Sequence, residues 1–284
     1  MKQYVEWGTG QMIVSKKEAE KLAEDIRNII DGKKIDLRDN LEGRLSIIKN
    51  EVHTLANRLN EQAESLENDK RKLTDTLADI SHQLKTPLTS MKMMVELLED
   101  APKEKTDEFI LNLKQGLTQT NWLVNSLLKM AKLDSGTVLF NPTEIKTNEL
   151  IELATLPLKI LLDIKNQEII KPASDIILTC DKNWTAEALT NIIKNALEHS
   201  PSGSKIVVET GKNPLSTWIS VADSGNGLTN AKIKNLFNRF ESSIKGTGIG
   251  LPLALKIMQE QQGDIEISNK NEGNGVIFTL KFYT

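Results

Sequence analysis

The stretch from Asp79 to Met91, DISHQLKTPLTSM, brings a histidine, a hydroxyl and a proline within two helical turns. Around it Leu73, Leu77, Ile80, Leu84, Leu88, Met91, Val95 and Leu98 recur at threes and fours, the spacing of a packed helix seam. At about 100° per residue, His82 lies off that seam and its imidazole points to solvent, with Thr86 one turn above it. Pro87 removes a backbone donor and should kink the helix without ending it. An exposed imidazole beside a hydroxyl is a candidate nucleophile. Taken alone it reads first as a solvated surface histidine.

Four pieces further along carry a second kind of chemistry. In NIIKNALEH, Asn191 and Asn195 stand one turn apart on a helix that ends at His199. Their amide oxygens suit magnesium that keeps most of its waters and phosphate ligands, although two helical asparagines can simply be solvated. In DSGNGL, Asp223 ends a strand, where its carboxylate can accept from an exocyclic amine. Gly225 and Gly227 let the backbone approach a flat base. GTGIGL, with Gly246, Thr247, Gly248, Gly250 and Leu251 before Pro252, exposes N–H groups at a helix start to an anion. It matches neither a P-loop nor a dinucleotide fingerprint. Between them, Phe237 and Phe240 can anchor a lid while Arg239 and Lys245 reach phosphates, or the segment is an ordinary surface loop.

The elements that must hold these groups fall into two kinds. Residues 1–15 show no period, and Lys16–Ile30 reads as a short amphipathic helix stopped by Asp31 and Gly32. From Leu41 a second helix carries Leu45, Ile48, Val52, Leu55, Leu59 and Leu66 as a heptad seam, so it should pair with its own copy. It runs on through His82 to Leu98, with a weak point at Glu67–Lys72; His53 on its flank reads as structural. After a turn at APKEK, Thr106–Asp134 forms another apolar helix, giving a hairpin that two copies complete as a four-helix bundle. Ser135–Thr143 breaks the period. Beyond it come a helix at Thr147–Ile164, a strand at Ile176–Thr179, a helix at Asn183–His199, and strands at Lys205–Glu209 and Thr217–Ala222. A lid-like loop, a helix from Leu251, and strands at Asp264–Ser268 and Val276–Phe282 follow, a two-layer α/β arrangement.

At 284 residues, 39% hydrophobic and 26% charged, the chain has room for about two self-supporting domains. A net charge of −3 makes no electrostatic case for direct nucleic acid binding. Cys180 is the only cysteine, which excludes an internal disulfide and thiolate metal sites and fits a reducing compartment. No run approaches the roughly 20 apolar residues of a membrane span, so the stretch as given is expected to be cytoplasmic. Anchoring to the inner face of a cell membrane by a further segment stays open.

In this order and spacing, HQLKTP, NIIKNALEH, DSGNGL and GTGIGL resemble a sensor histidine kinase of a two-component system over about residues 70–284. The resemblance implies a long coiled coil and dimeric four-helix bundle followed by a two-layer α/β sandwich ATP-binding domain. The divisions it suggests are 1–40, a tail and short helix similar to a HAMP relay through NLEGRL; 41–72, a coiled-coil signalling helix; 73–135, the phosphotransfer hairpin; 136–143, a linker; and 144–284, the ATP-binding domain. It implies His82 as phospho-acceptor, Asn195 as Mg2+ ligand, and Asn191 and Lys194 near the phosphates. Asp223 would read adenine. Gly225, Gly227, Gly246, Gly248 and Gly250, with His199, Arg239, Phe240, Lys245, Thr247 and Leu251, would complete the ATP pocket.

One position departs from the family pattern. Glu or Asp most often follows the phospho-accepting histidine, and here Gln83 stands instead. An amide is not a base, though it can fix the ring tautomer by accepting a hydrogen bond. A histidine of pKa about 6.5 is mostly neutral at pH 7, so a base is not essential, but a missing one costs roughly 10²–10⁴ in rate and autophosphorylation is expected to be real but slow. The phosphoryl group should pass to a response-regulator aspartate, and Thr86 matches the position implicated in phosphatase action. The alternative is a dimeric ATP-binding scaffold that signals without phosphorylating His82. An ATPase chaperone of the same superfamily is excluded by the HQLKTP helix and the absence of a middle domain.

Overall fold

The computed structural model describes residues 16–30, 44–99, 102–240, 248–270 and 274–283. The chain divides into two compact units, Met1–Ala78 and Asp79–Thr284. Helix α1 spans Lys16–Ile30, as the apolar spacing predicts, while NLEGRL lies largely outside the described residues. Helix α2, Arg44–Glu99, belongs to both units and continues through Pro87, which is buried. The heptad leucines Leu55, Leu59 and Leu66 are exposed, and His53 contacts Asn57 one turn on at 3.2 Å. Helix α3, Lys103–Asp134, follows after a short connection. Met91 of α2 sits where a Cβ on Gly116 of α3 would stand, at 2.7 Å, so the glycine admits the thioether.

The α/β part is built on a five-stranded sheet in the order β2-β4-β5-β7-β6. Its strands are β2 Glu168–Ile170, β4 Lys205–Lys212, β5 Ser216–Ala222, β6 Gly263–Asn269 and β7 Val276–Tyr283. Only β2 against β4 is parallel. Val276, Phe278, Leu280 and Phe282 alternate inward along β7, the period-two pattern of a strand with one buried face. Helices α4 Thr147–Thr155, α6 Lys182–His199 and α8 Gly250–Glu260 supply the facing layer, with Leu150, Ile151, Leu189, Ile193, Leu253 and Ile257 fully buried. On the opposite face Trp218 lies over Gly211, its cross-strand partner, where any Cβ would meet the indole at 2.0 Å.

Local chemistry corrects the expected elements in three places. The single helix expected over Thr147–Ile164 is interrupted by a 3-10 turn at Leu156–Leu158 and resumes as α5, Lys159–Lys165; Pro157 at its start cannot continue an α-helical ladder. Two short strands were not expected, β1 Thr143–Lys146 and β2; β1 pairs antiparallel with β3, Ile177–Cys180. Three or four residues are too few for a period to register. Part of the lid-like segment is helical, α7 Asn230–Asn235, started by the Thr229 hydroxyl accepting from the Lys232 N–H.

Helix α3 shares the α/β core. Leu123, Met130 and Leu133 are buried in the same cluster as α6 and α8, and Leu84 of α2 packs against it. Lys129 pairs with Glu187 of α6 at 2.7 Å, and Phe140 of the connection contacts the Trp184 ring at 5.9 Å between centroids.

Candidate nucleotide and phospho-acceptor sites

Helix α6 is anchored at both ends. At its start one oxygen of Asp181 accepts from the Asn183 and Trp184 N–H groups, and the other accepts from the Asn141 N–H. At its end the Lys165 ammonium donates to the carbonyls of Leu197 and Glu198, placing positive charge at the negative pole of the helix. The Gln167 amide donates to the Ser200 and Pro201 carbonyls just beyond. On the helix so fixed, Asn195 and His199 line a cavity of about 510 Å³. Asn195 is half-buried and its side chain makes no hydrogen bond among the described residues.

Asn191, expected near the phosphates, does not line this cavity but meets the start of α8. Only 5% exposed, it is absent from the cavity lining and donates to the Glu187 carbonyl of its own helix at 2.8 Å. Its Oδ1 lies 2.9 Å from where a Cβ on Gly250 would stand. It therefore supports the first residue of α8 from below. That helix start has no side-chain cap, which leaves its first N–H groups without intrahelical acceptors, as an anion site requires.

Asp223 is buried, and its Oδ1 accepts from the N–H groups of both Gly225 and Val276 at 2.9 Å. Oδ2 has no partner among the described residues, so one oxygen holds the loop and the other remains for an amine donor. Gly275 permits this approach. Its φ is 137° and a Cβ there would stand 2.3 Å from the Asp223 carbonyl oxygen. Asp223, Gly225, Asn226, Gly227, Leu228, Val276 and Phe278 line one part of the cavity; Ala231, Lys232, Asn235 and Leu236, on or beside α7, line another. Lys232 and Asn235 were missed from the sequence, where only the Thr229 cap could have marked a helix. Volume, apolar floor and a few converging polar groups suit a nucleotide base, and the anchored Asp223 with the free Asn195 amide fits ATP with magnesium.

Phe237 and Phe240 pack against the core. Phe240 adopts a left-handed backbone, φ 64°, and its N–H donates to the Gly248 carbonyl. Lys245, Gly246 and Thr247 lie outside the described residues. Gly248 and Leu251 flank the α8 start and, with Gly250, Phe240 and Arg239, are absent from the cavity lining. Arg239 does not face the cavity; its guanidinium pairs with Asp134 at the end of α3, at 2.7 Å. Lys194 is likewise turned to α3, its ammonium 4.0 Å from the Trp122 ring centroid.

On α2, His82 and Thr86 are exposed and Gln83 is half-buried. The Thr86 hydroxyl donates to the His82 carbonyl at 3.2 Å, keeping it beside the histidine. Gln83 makes no hydrogen bond to the His82 ring among the described residues.

Residues 72–136 match the His Kinase A (phospho-acceptor) domain, and residues 180–284 match the histidine kinase-, DNA gyrase B-, and HSP90-like ATPase family. Sporulation kinase C of Bacillus subtilis is 29% identical over 219 residues, 75% of this chain and 50% of its own length. Sensor histidine kinase WalK of the same organism is 28% identical over 236 residues, 78% of this chain and 38% of its own. The chain thus spans half or less of these relatives. The Acinetobacter baumannii histidine kinase AdeS shares the fold, with a TM-score of 0.60 at 22% identity over 71% of this chain and 97% of that one. Histidine kinase ThkA, solved in complex with response regulator protein TrrA, has a TM-score of 0.56 at 18% identity over 78% and 66%. With a phospho-acceptor domain followed by an ATPase-type domain on one polypeptide, the chain belongs to the sensor histidine kinases of two-component systems.

Proposed function

We propose that this chain binds ATP in the α6–β5–β7 cavity, transfers the γ-phosphoryl group to a ring nitrogen of His82, and passes it to an aspartate of a response-regulator receiver domain. The observation that carries the reading is Asp223, fixed through one carboxylate oxygen and free at the other, beside an unengaged Asn195, in a chain whose α2 exposes His82. In the transfer the neutral imidazole nitrogen forms a bond to phosphorus as the bond to the β-phosphate oxygen breaks and ADP departs. Asn195 would hold magnesium, which when bound offsets phosphate charge. Arg239, released from Asp134, would be available to the phosphates, so swinging of the ATP domain about the 136–143 connection is the regulated step.

A homodimer is part of this reading. Leu73, Leu77 and Leu88 of the expected seam are 60%, 55% and 53% exposed in the single chain. A second hairpin would bury them at roughly 1.5–3 kcal/mol each. Residues 73–135 are thereby proposed as the dimerisation and phosphotransfer hairpin, with 41–72 as its coiled-coil input and 144–284 as the ATP-binding domain.

Incubation with radiolabelled ATP and magnesium, beside His82→Ala and Asn195→Ala, tests the function. Acid-labile, alkali-stable label lost in both variants is the expected result. ATP binding without label would favour the scaffold reading, to which the unpartnered Gln83 lends support.

A further inference from the structure

The loop after β5, from Ser224 to Thr229, has no regular structure of its own, yet Gly225, Asn226, Gly227 and Leu228 line the cavity. Its near end is held by Asp223 through the Gly225 N–H. Its far end is held by one side chain from another hairpin. Asn269, the last residue of β6, accepts the Leu228 N–H on Oδ1 at 2.8 Å and donates from Nδ2 to the Leu228 carbonyl at 2.7 Å. A primary amide carries the same donor and acceptor as a peptide group, so the pair clamps Leu228 as a neighbouring strand would. One partner is a donor and the other an acceptor, which fixes the orientation of the amide. Asn269 Oδ1 also lies 3.3 Å from where a Cβ on Gly227 would stand, and Gly227 has a φ of 74°. The clamp therefore sits directly against the backbone of the cavity wall.

We infer that Asn269 is a positioning residue for nucleotide binding: it holds Gly227 and Leu228 at the spacing a purine base needs without itself touching the base. The inference rests on the reading of this cavity as the ATP site. Asn269→Ala removes both bonds. Asn269→Asp has nearly the same volume and keeps an acceptor for the Leu228 N–H, but sets a carboxylate oxygen against the Leu228 carbonyl. Neither change touches His82, Asn195 or the α8 start, so the loss belongs to affinity and leaves turnover of the bound complex alone.

The test is calorimetric binding of Mg·ATP to the full chain and both variants. It is paired with the autophosphorylation rate at saturating ATP and the thermal midpoint without nucleotide. The expected result is a Kd raised threefold or more in Asn269→Ala and further in Asn269→Asp, a saturated rate within twofold of the parent, and a midpoint lower by a few degrees at most. A merely structural asparagine would lower the midpoint and leave Kd unchanged. A rise of less than threefold in Asn269→Ala overturns the inference; should that variant not fold, the same threshold applies to Asn269→Asp. Failure of the parent itself to bind ATP removes the nucleotide reading first, and so is distinguishable from failure of the clamp.

Discussion

His82 carries the proposed chemistry from a solvent-facing position, and the residue beside it is proposed to set its rate. Gln83 cannot take a proton and makes no bond to the ring among the described residues, so it is no general base for His82. Positioned general bases contribute roughly 10²–10⁴ in rate. Gln83→Glu is therefore expected to raise initial autophosphorylation by about tenfold or more in a labelling time course, and a slower variant would reject the proton-transfer account. Thr86, whose hydroxyl is held one turn away, is proposed to serve dephosphorylation of the regulator. Thr86→Ala should abolish that activity and spare labelling of His82; equal loss of both would reject the division. Cys180 has no such role: burial pushes its thiol up to about 11, so almost no thiolate exists at pH 7.5. Maleimide should label it only after denaturation.

Between elements, the contacts of α3 with Arg239 and Lys194 are weak ones. Arg239 and Asp134 are each 40% exposed, and ion pairs in that setting contribute roughly 0.2–1 kcal/mol. The contact of Lys194 with Trp122 is of similar size, about 0.5–1 kcal/mol. Contacts this weak hold both cations toward α3, and we propose that they give way when ATP binds. Asp134→Asn should accordingly lower the apparent KM for ATP by about two- to fivefold, the equivalent of its ion pair, while the thermal midpoint hardly moves; an unchanged KM would mean that Arg239 is not rationed by α3. The α8 start is less forgiving. Gly250→Ala would drive a methyl to 2.9 Å from the Asn191 amide, itself bonded to the Glu187 carbonyl, and should cost about 1–3 kcal/mol in denaturant unfolding.

At the scale of the whole molecule, the exposed leucines along α2 predict its assembly. Leu88→Glu should shift the chain from dimer to monomer in sedimentation, because a charge replaces a residue that a second hairpin would bury. The long elements were legible from spacing alone: Lys16–Ile30 and the helix through Pro87 follow from apolar recurrence over many turns. Asp223 and Asn195, which line one cavity, were legible only from the motifs read together, since a glycine-rich turn or two helical asparagines alone admit other uses. Short elements were not legible. Strands β1 and β2 and helix α7 are too brief for a period to show and exist through their partners or a single cap. What the amino-acid order determined was which groups could do chemistry and on what kind of element each sits. Only the tertiary structure decided where they point. Arg239 and Lys194 are turned to α3 by an acid and an indole 105 and 72 residues away, Asn191 is folded under Gly250, and Asn269 clamps a loop 41 residues before it. Such pairings depend on approach in space, which no local periodicity encodes.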